Sequence, residues 1–144
     1  MPLTADYNAP RAEGDLRTGL LTANQTVFVG ALLMRNTTTG HIRRGAVATG
    51  CVGVGRAELR ATSGGANGVD SATYRVGTFR YRNSGGGDAI ETADIGKVCF
   101  IADDDQVAKT DASATRSPAG VVENVDGSGV WVRLDEALTT AVLS

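Results

Sequence analysis

The stretch from Ser117 to Leu134, SPAGVVENVDGSGVWVRL, holds two short apolar runs, Val121–Val125 and Val130–Leu134, around Asp126-Gly127-Ser128-Gly129. β-Branched residues on either side of a Gly-rich centre read as a β-hairpin, with glycines available wherever the loop needs positive φ. The second run has a period of two. Val130, Val132 and Leu134 share one face, which belongs in a core. Trp131 and Arg133 share the other. The single tryptophan of the chain therefore points towards solvent, a second layer or another protein. A large aromatic beside an arginine on a non-core face has the composition of a contact surface.

The rest of the composition agrees with many short strands. The chain has 144 residues, enough for one domain with a real core. Glycine is abundant, at 19 residues, while there are only three prolines and no repeat period. Tight turns between strands explain this better than a linker or a collagen-like array. The net charge of −2 offers no nucleic-acid footprint. It is distributed unevenly: residues 1–60 carry +3 and residues 61–144 carry −5. Of the 14 cations all but Lys97 and Lys109 are arginine, the residue favoured for bidentate pairs at interfaces. No apolar run reaches the roughly 18 residues of a membrane span. The N-terminus MPLTADYNAPRAEGD lacks the basic start and apolar middle of a signal peptide. A soluble protein made in a cytoplasm is expected, with Cys51 and Cys99, both in apolar contexts, as reduced core thiols.

Residues 1–25 differ from the rest of the chain. They hold two of the three prolines, a polar series from Thr4 to Arg17, and scattered apolar residues without a period. Two readings stand: a frayed terminus, or an arm that orders on a partner, anchored by those apolar side chains. From Thr26 the chain is regular. Val27–Met34 reads as one fully buried strand. Cys51–Arg60 alternates, with a small-residue face (Cys51, Gly53, Gly55, Ala57) that permits close approach of another backbone. Tyr74–Arg82 reads as a strand, Gly-rich loops occupy 61–72 and 83–88, and Asp103-Asp104-Asp105-Gln106 is a turn. Asp135 is placed to cap one or two helical turns over 135–143. Strands every 10–15 residues without a long helical period predict a sandwich or a small barrel.

Catalytic chemistry finds little support. Nucleophilic catalysis needs a nucleophile, a base and an orienting group, but the only histidine, His41, stands beside a Thr-rich turn. No enzyme, cofactor or metal is expected. Asp103, Asp104 and Asp105 lack the alternate spacing and central glycine of a calcium loop, and side chains in an extended segment diverge. Gly53-Val54-Gly55 and Gly85-Gly86-Gly87 are not followed by a helix that would make them phosphate cradles. Arginines interleaved with aromatics over Tyr74–Arg82 raise nucleic-acid binding as a rival. Strict alternation splits those aromatics between two faces.

Several segments together resemble a known family. They are Val29-Gly30-Ala31-Leu32-Leu33, Ile95-Gly96-Lys97-Val98-Cys99-Phe100-Ile101 with its acidic turn, Val107-Ala108-Lys109-Thr110, Ala119-Gly120-Val121-Val122, and Gly129-Val130-Trp131-Val132. With the polar N-terminal arm, the pattern resembles the small capsid decoration, or cement, proteins of tailed bacteriophages over roughly residues 26–137. The loops 61–72 and 83–88 look like insertions relative to shorter members. The resemblance implies a small β-barrel or β-tulip-like sandwich of short antiparallel strands. It also implies a homotrimer that binds the outer surface of the expanded shell, bridges neighbouring major capsid protein subunits and resists the pressure of packaged DNA. The expected location is the outside of the virion, after assembly in a bacterial cytoplasm. No membrane or direct nucleic-acid contact is expected.

On this reading residues 1–25 are an extended arm, 26–137 the decoration domain and 138–144 a tail. The expected capsid-binding residues are Leu3, Tyr7, Leu16 and Leu20 in the arm. The expected subunit contacts, taken from outward strand faces, are Arg56, Arg80, Trp131 and Arg133. The alternatives are a nucleic-acid-binding small barrel and a glycan- or host-surface-binding β module of a phage particle.

Overall fold

The computed structural model describes residues 2–12 and 14–143. Met1 and Glu13 of the expected arm and Ser144 of the expected tail lie outside the described residues. The strands are β1 (Leu16–Leu20), β2 (Thr26–Val27), β3 (Leu32–Asn36), β4 (Ile42–Arg44), β5 (Cys51–Ala57) and β6 (Ala61–Thr62), then β7 (Ser71–Arg75), β8 (Gly77–Tyr81), β9 (Val98–Asp103), β10 (Gln106–Ala108), β11 (Pro118–Asp126) and β12 (Gly129–Leu134). One helix, α1 (Glu136–Leu143), comes after them. Two five-stranded antiparallel sheets, ordered β1-β7-β5-β3-β4 and β10-β9-β11-β12-β8, are accompanied by a two-stranded β2-β6 ribbon. The chain is thus all-β, as expected, in the form of a small sandwich.

The expected barrel is not formed. Each sheet curls until its two edges touch, but through one parallel bridge only: Leu21 to Ile42 in the first sheet and Arg82 to Gln106 in the second. Closure needs a continuous ladder between edges. The edge strands β4 and β10, of three residues each, are too short to supply it.

The curl creates two cores. Leu32, Met34, Cys51, Tyr81, Cys99, Ile101, Val122, Val130, Val132 and Leu134 belong to one. Leu21, Val27, Leu33, Ile42, Val54, Ala57, Ala72 and Tyr74 belong to the other. β3 feeds both by simple alternation, Leu32 and Met34 to the first and Leu33 to the second, so it is buried on both faces. β5 is also buried throughout except for half-exposed Arg56. Its small-residue face has the role the sequence suggested: a Cβ on Gly53 would run into the Ala119 carbonyl of β11. Ser117 ties the same junction. Its hydroxyl accepts the Cys51 amide (3.1 Å) and donates to the Ala48 carbonyl (2.7 Å) from a site 1% exposed.

Four sequence expectations about the chain path need correction. Val27–Met34 is not one strand. Gly30, at φ +91°, turns the chain out of the ribbon and into β3, leaving Phe28 and Val29 51% and 66% exposed. Tyr74–Arg82 is not one strand either. It breaks at Val76 and Gly77 (φ +146°), so β7 lies in the first sheet and β8 in the second. Tyr74 and Tyr81 consequently point into different cores. Residues 16–25, in turn, do not belong to an arm. β1 pairs with β7 from Leu16 to Leu20, and Leu21 is fully buried; among the described residues before Asp15, residues 2–12 and 14 are exposed. α1 forms where Asp135 suggested, with the Leu138 amide donating to Asp135 Oδ1 at 3.0 Å. It packs on β5 and β11, so the expected boundary at 137 falls inside an integral element.

One turn is conformationally costly. Ala112, Ser113 and Ala114 are all left-handed, at φ +51°, +61° and +65°. Asp111 closes the turn, its carbonyl accepting the amides of Thr115 and Arg116. L-residues pay for this conformation where glycine does not. Ser113→Gly should therefore raise stability by about 1 kcal/mol, read as a higher denaturation midpoint at unchanged m-value. The opposite is expected at the sheet junction, where Gly53→Ala should cost about 3 kcal/mol by forcing β5 off β11.

Candidate interaction surface

The hairpin β11–β12 turns at Gly127-Ser128, with Asp126 paired to Gly129. Asp126 organises it as an Asx turn. Its Oδ1 accepts the amides of Ser128 (2.7 Å) and Gly129 (3.1 Å), and its Oδ2 accepts the indole N–H of Trp131 (3.2 Å). The carboxylate that shapes the turn thus also aims the tryptophan. Val130, Val132 and Leu134 are buried, as their period implied, and Trp131 is half-buried on the outer face. Pairing of β12 with β8 sets Trp131 opposite Arg80.

From this pair outward the surface is built of arginines over aromatic rings. Arg80 lies 5.7 Å from the Trp131 ring, Arg56 lies 4.3 Å from Phe79, and Arg60 lies 5.0 Å from Phe28. A groove of about 570 Å³ runs past Arg56, Phe79, Arg80 and Trp131 to Gly30. Across Gly30 it continues into a hollow of about 280 Å³ edged by Phe28, Val29, Asp104 and Asp105. Tyr81 holds the junction, its hydroxyl donating to the Gly30 carbonyl at 3.1 Å.

The groove is electrostatically two-ended. Arg56 is committed to Glu58, which also accepts from Arg75 at 3.1 Å. These bonds, that of Arg56 foremost, hold the Glu58 carboxyl below its ordinary value. Arg60 and Arg80 form no ion pair among the described residues. The other end is acidic. The carboxylates of Asp103, Asp104 and Asp105 gather within 4.8 Å of one another. The expectation that they diverge assumed an extended segment, whereas Asp104 and Asp105 form the tight turn between β9 and β10. Burial, and next the charge of Asp103, push the Asp104 carboxyl up. Arg44 and Arg82 answer Asp104 and Asp105 at 3.8 and 3.3 Å.

Of the four expected subunit contacts, Arg56, Arg80 and Trp131 line this groove together. Arg133 does not. It pairs with Asp135 at 3.4 Å and lines a neighbouring groove of about 880 Å³ beneath α1, with Arg17 on the opposite wall. Thr78 borders both grooves. The four expected capsid contacts fall into two settings. Leu3 and Tyr7 are 72% and 68% exposed on the N-terminal segment, whereas Leu16 and Leu20, each 49% exposed, sit on edge strand β1. Sequence reading missed Phe28 and Val29, because an unbroken apolar run hid the turn, and with them Arg60, which lies over the Phe28 ring. Gly30 was the available signal.

Cys51 and Cys99 are free and buried, and burial pushes the Cys99 thiol up to about 12. His41 is half-buried and faces Gly68. Among the described residues no helix is long and apolar enough to cross a membrane. Compared with known proteins, the chain matches no protein-family model, no curated protein and no solved structure.

The Asp126 network has a measurable acid limit. The Ser128 amide first, then the Trp131 indole, hold the Asp126 carboxyl below its ordinary value. A depressed folded-state pKa means that the bonds contribute in full above the unfolded value, near 4, and are lost as pH falls through the lower folded value. Emission from Trp131, the single tryptophan, should shift with a midpoint below pH ~4. Asp126→Asn should abolish that step.

Proposed function

We propose that the chain is a non-enzymatic structural protein of a tailed-phage head, binding the outer surface of the expanded capsid and bridging neighbouring major capsid protein subunits. The resemblance of its strand and turn segments to capsid decoration proteins is the starting point. The observation that supports the reading is a pair of separate exposed surfaces with the composition of contact surfaces, on different sheets. Leu16 and Leu20 project from β1 at the edge of the first sheet, and the arginine–aromatic groove runs along β8 and β12 of the second.

A clamp needs two such surfaces, one for the lattice and one for copies of itself. In this proposal β1 faces the capsid. Its apolar side chains are already held by pairing with β7, so docking costs less ordering entropy there than on an unpaired segment. The groove serves the association of copies, in a homotrimer on the shell. Binding that discriminates the expanded lattice from the compact one stabilises the expanded form by mass action. Repetition of a modest contact around an assembly makes the total strong.

The test is cosedimentation with purified heads. Saturable binding is expected to expanded heads and not to unexpanded ones. Leu16→Asp with Leu20→Asp, both at exposed positions, should weaken binding by about tenfold or more without unfolding the chain. Equal binding to both head forms, or to neither, rules the proposal out.

A further inference from the structure

Residues 2–12 are exposed throughout, and among the described residues their one backbone hydrogen bond, from the Ala9 amide to the Tyr7 carbonyl, is internal. This segment and the groove have complementary deficits. On an extended backbone Leu3, Ala5 and Tyr7 share one face, and Thr4, Asp6 and Asn8 the other. Asp6 and Arg11 form no ion pair among the described residues, and neither do Arg60, Asp103 and Arg80, whose charge acts on Asp126 from beyond ion-pair distance. The groove has arginine and tryptophan at one end and the three aspartates at the other, with exposed Phe28 and Val29 between. The segment has its aspartate five residues before its arginine. β8 adds a backbone edge, since it ends the second sheet and is bridged onward only at Arg82.

We propose that residues 3–8 of one copy lie along β8 in the groove of a second copy, with Asp6 at Arg80, Tyr7 towards Phe28 and Val29, Leu3 back along β8 near Gly77, and Arg11 towards the aspartate turn. Lengths agree. Six extended residues span roughly 20 Å and the five of β8 about 17 Å. Main-chain pairing to an open strand edge supplies affinity, and the alternate side chains supply specificity. The segment's root lies close to its own β8, because the Val76 amide donates to the Asp15 carbonyl. Four residue steps separate Arg11 from Asp15, a reach of at most about 14 Å, so the two copies meet along this edge. In the single chain the segment leaves its own groove open. The contact is heterologous, since segment and groove are different surfaces, so copies join head to tail and close into a ring when the rotation permits. Leu3 and Tyr7, expected at the capsid, thereby acquire a different partner. The inference goes beyond the proposed capsid role and stands or falls without it.

The experiment is sedimentation equilibrium of the full chain in the absence of heads. Concentration-dependent association is expected, weakening as salt is raised. Deleting residues 2–12, Asp6→Arg and Arg80→Glu should each weaken association by about tenfold or more. Asp6→Arg combined with Arg80→Glu should restore it. The deleted and substituted arm residues touch no core, so misfolding does not confound those variants. Three results overturn the proposal. One is a chain monomeric at every concentration. The second is unchanged association after the deletion. The third is a concentration-independent shift in Trp131 emission on deletion, which places the segment in its own groove.

Discussion

The β3–β5 pair is buried on both faces, and the architecture depends on it. A strand with two buried faces must satisfy two packing partners at once, which is why β5 reads Cys-Val-Gly-Val-Gly. Larger side chains would hold the second sheet away. At Gly53 the Ala119 backbone takes the space a Cβ would fill, and contact between the sheets follows from that one missing side chain. Without it Leu32, Met34 and Cys51 could not share a core with Val122, Val130 and Leu134. Dispersion contacts fall steeply with distance, so an offset of even 1 Å forfeits much of that interaction.

The outer groove is a consequence of the same arrangement. Because β3 and β5 belong to both cores, Arg56 emerges between the sheets and lies over Phe79, which belongs to the opposite sheet. The corner at Val76-Gly77 then carries the chain across, so that Arg75 pairs with Asp15 and Glu58 in one sheet while Arg80 stands beside Trp131 in the other. Stacking leaves the guanidinium edges free to donate. An arginine over a ring is therefore a partly desolvated cation still able to take a carboxylate, and the combination of aromatic and arginine is the one enriched at energetic centres of interfaces.

Much of this was legible where one physical requirement dominates. The two faces of β12 follow from period two alone, and the cap of α1 follows from Asp135. The close approach at β5 follows from its small residues. Failures came where local pattern and chain path part company. Phe28 and Val29 have the composition of a buried strand, but burial depends on the direction in which Gly30 sends the chain. Tyr74–Arg82 alternates well enough to pass as one strand, yet Gly77 takes a φ that breaks the alternation. β1 has Leu-Arg-Thr-Gly-Leu, with little strand propensity. Pairing with β7 and the burial of Leu21 override that deficit, as tertiary context commonly does for strands. The groove's residues come from four separate segments, so their convergence is a property of topology that spacing along the chain does not encode.

Where a molecule places its order determines what its contacts cost. Trp131, Arg80, Leu16 and Leu20 all stand on paired strands, and Trp131 is further fixed by Asp126. Their backbone entropy is already lost on folding, so a partner meeting them gains most of the contact energy as affinity. Residues 2–12 are the reverse case, and ordering each costs on the order of 1 kcal/mol or more. An extended segment of that length recovers the cost only by making backbone and side-chain contacts together. A flat apolar patch offers the second alone. A groove along an open strand edge, with charge at both ends, offers both, and among the surfaces of this molecule that combination occurs beside β8.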